Sequence, residues 1–310
     1  MAAEEGLRKK TRSFFYHSVY GFAVQSELSF PELFQGPPHS DVQIRLGAVP
    51  RFDKKLPFLK IQDYKMQATP SEARLFWEDG LALWVRGGKE IVVSSKRKIE
   101  ESIVRLVVLG PGFAMLLQQR GRLVLHASAV ANSKEAIAFL GSSGSGKSTL
   151  AAAMRGMGYS VVTDNLLSIR FDHGIPMVSS GFPKLKLRLD TAQKLGFDLK
   201  KLPAIEPGSD KNYIDLKKGF IDEEMPLRRI YVLSKGRPIK ITPLQDREIL
   251  IQLIRHSCGS HQASRQEALS KHFFQCVDLA KKVPILGLRR GSSLDSLSEL
   301  AEMVKKDSRL

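Results

Sequence analysis

The sequence predicts an α/β protein whose N-terminal half is β-rich, of the α+β kind. Three observations carry this. Short apolar runs bounded by turn residues fill the stretch from 14 to 98, a strand, loop, helix, strand rhythm begins after Gly121, and a glycine-rich loop sits directly between an apolar strand and a helix. At 310 residues the chain is long enough for about two domains. With 43% hydrophobic and 26% charged residues it has the composition of a folding chain rather than a disordered one. The expected division is residues 1–120, a β-rich domain with a connecting helix, and 121–310, a phosphate-loop domain.

In chain order, strands are expected at Gly21 to Gln25, Val42 to Leu46, Ala73 to Trp77, Leu81 to Val85 and Glu90 to Ser94, with Glu78-Asp79-Gly80 as a hairpin loop. On alternating strands Trp77 and Trp84 read as core or cross-strand packing rather than a ligand platform. Lys98 to Gln119 has helical spacing, broken at Gly110-Pro111. Strands follow at Arg122 to Val130 and Glu135 to Leu140, then a helix from Lys147 to Met157 and a strand at Tyr159 to Thr163. Leu166 to Phe171 and Ile175 to Ser179 flank Asp172-His173-Gly174 as another hairpin. The last third offers strands at Arg229 to Leu233 and Ile285 to Leu288, and helices near 246 to 257, 263 to 281 and 292 to 305.

Lys and Arg number 48 against 32 Asp and Glu, a formal charge of +16 that favours anionic partners. Nucleic acid is not expected, because the basic stretch lacks interleaved aromatics for base stacking and shows no nucleic-acid module. Two cysteines, Cys258 and Cys276, exclude a disulfide scaffold, and nothing has zinc spacing. The basic start Met1 to Arg12 leads into no signal-peptide apolar run, and Ile103 to Leu117 is too short and too interrupted to span a bilayer. A reducing cytoplasm with no membrane anchor is the expected setting.

Gly141-Ser-Ser-Gly-Ser-Gly-Lys-Ser148 satisfies GxxxxGK[ST] in the right context, after the strand Ala136 to Leu140 and before a helix. Glycines let backbone N–H groups turn toward phosphate oxygens, the helix N-terminus adds partial positive charge, and Lys147 adds a full one. The expected nucleotide-binding set is Gly141, Ser142, Ser143, Gly144, Ser145, Gly146, Lys147, Ser148 and Thr149, with the Ser148 hydroxyl placed on Mg²⁺. Asp164 follows Lys147 by 17 residues and is expected at the C-terminal end of a strand parallel to and beside the loop's strand. There it serves as a Mg²⁺ ligand or as the base for an attacking hydroxyl; the bland alternative is a turn at Asp164-Asn165. His126, on the preceding strand, is a core residue or a proton-transfer group.

Leu125-His-Ala-Ser-Ala-Val130, this loop, and Gly158-Tyr-Ser-Val-Val-Thr-Asp164 together resemble the HPr kinase/phosphorylase family, whose core is related to phosphoenolpyruvate carboxykinase. Gly181 to Leu187, Lys211-Asn212 and Pro226 to Leu233 also look like its shorter relatives. Tyr20 to Leu33 is similar to the opening of HPr-kinase-like proteins associated with lasso-peptide biosynthesis. The resemblance implies a P-loop kinase core of that type, with ATP and Mg²⁺ as cofactors, and transfer to a serine hydroxyl of a peptide or protein. A lasso-type precursor is the favoured acceptor. It also implies roles for Asp164, Lys147 and His126, and raises a homo-oligomer. The chain departs from the family at Asn165, where a second Asp is common, and lacks the glycine-rich signature tied to dephosphorylation, so reverse phosphorylase activity is not expected.

Lys184, Lys186 and Arg188 alternate, and on a strand they share one face able to meet phosphate or an acidic peptide, with Lys211 a further candidate; the other charges between Lys184 and Lys218 read as a solvated face. His256 and Cys258 form no nucleophile dyad. The alternatives to a serine kinase are a nucleotide-binding switch without transfer and a kinase of a small-molecule alcohol.

Overall fold

The computed structural model describes residues 13–61, 63–95, 99–132, 134–198, 210–216, 218–258, 266–291 and 293–308. The basic start Met1 to Arg12, Lys98, Lys200, Lys201, Glu206, Lys217, the first residues of the helix expected at 263, and Ser292 lie outside them.

Two large sheets make up a mixed α/β architecture. The first has nine strands in the order Phe34–Gln35, Phe15–Val19, Phe22–Ser26, Val42–Leu46, Glu90–Ser95, Leu81–Arg86, Glu72–Trp77, Tyr64–Ala68 and Leu59–Ile61. The five strands expected from alternating apolar residues are present. Gly80, at φ 96°, turns the chain between Glu72–Trp77 and Leu81–Arg86. Trp77 packs on Tyr64 across strands, and Trp84 lies under the Arg86 guanidinium. Phe15–Val19 and Tyr64–Ala68 escape a sequence reading because His17, Ser18, Lys65 and Gln67 dilute their apolar pattern.

Glu101–Gln119 is one continuous helix, where the sequence predicted a break at Gly110-Pro111. Pro111 lacks an N–H, and a π-helical turn over Val108–Gly112 accommodates the missing donor without ending the helix. Gly112 permits close packing, since a Cβ there would lie 3.2 Å from Leu83 Cδ1 on the first sheet. By length and mean hydropathy (1.3) this helix would suffice to cross a bilayer, yet Val108, Phe113, Leu116 and Leu117 are fully buried in protein.

The second sheet has seven strands in the order Ala136–Leu140, Leu123–Ala131, Ser160–Asp172, Ile175–Ser179, Met225–Lys235, Ile285–Arg290 and Lys240–Pro243. A further parallel pairing of Ala136–Leu140 with Met225–Lys235 closes its first five strands into a ring. His173 (φ 45°) and Gly174 (φ 82°) form the expected two-residue hairpin turn. Val124, Leu166 and Phe182 of this half join the first sheet's core, so one apolar cluster runs through both.

Two expectations need correction here. Ser160–Asp172 is a single strand of 13 residues rather than two runs separated at Asp164-Asn165. It is antiparallel to Leu123–Ala131, which lies between it and the loop's strand Ala136–Leu140, so Asp164 stands mid-strand and not at the end of a neighbouring parallel strand. Long-range antiparallel pairing leaves no local signature, and a strand, loop, helix, strand rhythm suggests parallel neighbours by default.

Candidate active site

The loop after Ala136–Leu140 opens the helix Lys147–Gly156 as its sequence demands. Gly141, Gly144 and Gly146 have φ of 148°, 74° and 97°, a region that favours glycine. Close contact reinforces two of them. A Cβ on Gly141 would lie 2.5 Å from Ser145 Oγ, and one on Gly146 would lie 2.9 Å from Arg290 Nε. Lys147 folds over the loop's base, its Nζ donating to Gly141 O at 2.7 Å and Ser142 O at 3.2 Å. Burial lowers the Lys147 ammonium's pKa, Asp164 opposes that shift, and Lys211 reinforces it.

Asp164 is 5% exposed and engaged on both oxygens. Ser148 Oγ donates to Oδ1 at 2.8 Å, joined there by Ser128 Oγ from the directly opposite position on Leu123–Ala131. The Lys186 backbone N–H donates to Oδ2 at 2.8 Å. Lys186 lies on a separate two-stranded ribbon, Lys184–Arg188 paired with Lys211–Asp215. One carboxylate thus joins the phosphate loop to the ribbon.

Asn165 has φ 123°, which takes it out of the strand's alternation, so that Asp164 and Asn165 both face the same cleft. Its side chain hydrogen-bonds His126, whose backbone N–H donates to His256 O at 2.7 Å. Burial first, then the charges of Lys147, His256 and Lys186, push the His126 pKa down to about 4, so the imidazole is neutral at physiological pH. Burial pushes the thiols up, to about 12 for Cys258 and about 11 for Cys276, so neither is a thiolate near neutrality.

These groups surround a cleft of about 480 Å³. Of the expected nucleotide set, Ser143, Gly144, Gly146, Lys147, Ser148 and Thr149 line it, while Gly141, Ser142 and Ser145 stand behind as the loop's frame. Asp164 and His126 line it too. The cleft's cations are Lys147, Lys186, Arg188, Lys211, Lys235 and Arg290, against the carboxylates of Asp164 and Asp190.

Arg290 and Lys235 had no sequence signal. They are register partners at the ends of the parallel strands Ile285–Arg290 and Met225–Lys235. Arg290 Nε donates to Ser145 O, Nη2 to Gly144 O at 3.3 Å and Nη1 to Gly291 O at 3.0 Å. Three of the five guanidinium N–H groups thus hold carbonyls among the described residues. A basic residue at the end of an apolar strand is no motif, and the pairing of these two strands is invisible locally.

The residues fit the implied cofactors. Backbone N–H groups turned by three positive-φ glycines at a helix start suit a polyphosphate. Ser148 and Asp164 supply a hydroxyl and a carboxylate, a hard-oxygen pair of the kind that holds Mg²⁺ together with phosphates and waters. No group of three or more His, Cys, Asp or Glu that could hold a metal gathers among the described residues, as a site of that shared kind does not require one.

No protein-family model matches the chain, and no curated protein does. Among solved structures, the HPr(Ser) kinase/phosphatase from Coxiella burnetii is similar over 59% of this chain and 95% of its own, with a TM-score of 0.33 and 10% identity. The chemistry of the site therefore stands on the geometry of its own residues.

Proposed function

We propose that this protein is an ATP-dependent phosphotransferase that moves the γ-phosphoryl group to a serine hydroxyl of a peptide or protein. The observation that carries the reading is Asp164, one oxygen on the phosphate-loop Ser148 and the other on the ribbon across the cleft. A group placed there can meet a nucleotide phosphate and an incoming hydroxyl at once.

In this reading the loop amides and Lys147 bind the nucleotide phosphates, and Lys147 leaves the Gly141 and Ser142 carbonyls to reach them. Mg²⁺, held by Ser148 and Asp164, supplies charge neutralisation on the phosphates when bound. The serine oxygen attacks the γ-phosphorus, its proton passes to the Asp164 carboxylate, and the bond to the β,γ-bridging oxygen breaks to release ADP. His126 stays neutral and, with Asn165, lines the cleft. The resemblance to lasso-peptide-associated kinases favours a precursor peptide as the acceptor.

A second reading, nucleotide binding without transfer, draws on one feature. Asp164 already accepts three hydrogen bonds, which suits a fixed metal ligand as well as a base. Incubation with Mg²⁺, γ-labelled ATP and candidate serine peptides, HPr-like protein and small alcohols separates the readings. Label on a peptide or protein serine, absent with Lys147→Ala, supports transfer. Tight ATP binding with no labelled acceptor supports the switch, and label on a small alcohol replaces the acceptor class.

A further inference from the structure

The strand that carries Asp164 is held in a shape it would not take by itself. Asn165 sits at φ 123°, a region that favours glycine, and such a conformation persists only where its surroundings impose it. Part of that constraint comes from the cleft, through the three hydrogen bonds to Asp164 and the contact of Asn165 with His126. The rest comes from Thr163, which is 1% exposed. Its Oγ1 donates to Leu166 O at 2.8 Å and so spans Asp164 and Asn165, clamping the backbone on either side of them.

Two further residues confine Thr163. Gly181, whose N–H donates to Val162 O at 2.9 Å, comes so close that a Cβ there would lie 2.4 Å from Thr163 Oγ1. The other is Tyr20, from the first sheet. Tyr20 and Gly21 form the two-residue turn between Phe15–Val19 and Phe22–Ser26, at φ 54° and 73°. Asn and Gly suit the first place of such a turn, whereas a bulky aromatic residue is strained there. The Tyr20 side chain is fully buried, its ring packs on Phe113 at 5.7 Å, and its backbone N–H donates to Ser180 O at 2.9 Å. Its hydroxyl interacts with the Thr163 side chain without reaching a full hydrogen-bond geometry, so it acts there as a stop more than as a donor.

We propose that Thr163 is a positioning residue for phosphoryl transfer: it pins the kink that turns Asp164 and Asn165 into the cleft together, and the Tyr20 turn of the first sheet holds it in place. That role presupposes the transfer reading above, and it gives the N-terminal sheet a part in the chemistry although no described residue of that sheet lines the cleft.

The test uses the full chain and two readouts. Transfer from γ-labelled ATP to a serine peptide gives kcat and KM. The imidazole nitrogen resonances of His126, measured without ligand at neutral pH, report the Asn165 contact and need no activity. Thr163→Val keeps the shape and loses the hydroxyl. It should lower kcat about tenfold to hundredfold, leave the KM for ATP within about threefold, and shift the His126 resonances. Thr163→Ser returns the hydroxyl and should restore both. Gly181→Ala pushes that hydroxyl aside and Tyr20→Leu removes its stop. Each should lower kcat in the same way, and neither should deepen the loss when combined with Thr163→Val. The proposal is overturned if Thr163→Val leaves kcat or the His126 resonances unchanged, if Thr163→Ser behaves like Thr163→Val, or if the losses from Tyr20→Leu and Thr163→Val add. An unmodified protein that labels no acceptor sinks the transfer reading by itself. In that case a His126 shift reversed by Thr163→Ser still upholds Thr163 as the residue that positions the site, and no shift overturns it.

Discussion

Ser148 Oγ donates a 2.8 Å hydrogen bond to Asp164 Oδ1, tying the first turn of the phosphate-loop helix to the middle of a strand two places away in the sheet. Asp164→Asn keeps the shape and removes the charge and the proton acceptor. On the proposed transfer reading, phosphoryl transfer should fall about 10²- to 10⁴-fold, while affinity for a non-hydrolysable ATP analogue stays within about tenfold of the unmodified protein. Single-turnover rates and calorimetric titration check the two halves. Equal losses in both would make Asp164 a binding group only.

Arg290 anchors the loop at Gly144 and Ser145 from a strand about 145 residues downstream. If the loop binds ATP as proposed, Arg290→Ala should raise the KM for ATP about tenfold, and Arg290→Lys should recover only part of the loss, because an ammonium cannot bond three carbonyls in a planar fork. Gly146→Ala should be more damaging to nucleotide binding than Arg290→Ala, since it adds a left-handed strain at φ 97° to a collision with the guanidinium. Steady-state kinetics at saturating acceptor distinguishes these cases.

His126 titrates near 6.5 in an unfolded chain and near 4 in the fold, because burial and neighbouring cations disfavour its charged form. Between those values the unfolded state holds the extra proton, so stability falls as pH drops through the window and is unaffected by this group above it. The contribution is roughly 3 kcal/mol at most. Urea unfolding of the unmodified protein and His126→Gln at pH 7.5 and 4.5 should show a shallower pH dependence for the variant.

Glu224 joins Arg122, Arg170 and Ser179 in one cluster, and the Arg122 guanidinium sits over the Phe22 ring. Arg122 is only 12% exposed, so deleting its carboxylate partner strands a largely buried cation. Glu224→Ala should lower stability by about 1 to 3 kcal/mol, read as a lower urea midpoint at unchanged slope. An unchanged midpoint would show the cluster to be energetically neutral.

What the sequence disclosed depended on how local the feature is. The strand, glycine-rich turn and helix that carry the phosphate-loop motif were legible because they are contiguous, and the structure places those elements as read. Asp164 was singled out from the sequence and does stand in the cleft beside Ser148, but its position was misread, since its strand runs antiparallel beside Leu123–Ala131. Arg290 and Lys235 meet the loop only through parallel pairing of distant strands, and no motif announces that. The run Lys184–Arg188 showed its alternation, whereas its partner Lys211–Asp215 is polar and short enough to pass for a turn. The uninterrupted helix through Pro111 went unread because a π-turn depends on the surrounding packing more than on the proline itself.

The ribbon's hold on Asp164 is a main-chain bond, from the Lys186 N–H to Oδ2. Any residue except proline can make it, so the bond is blind to the side chain that projects from the same position. Mutation at position 186 can therefore change the chemistry that the ribbon presents to the cleft while the carboxylate keeps its anchor.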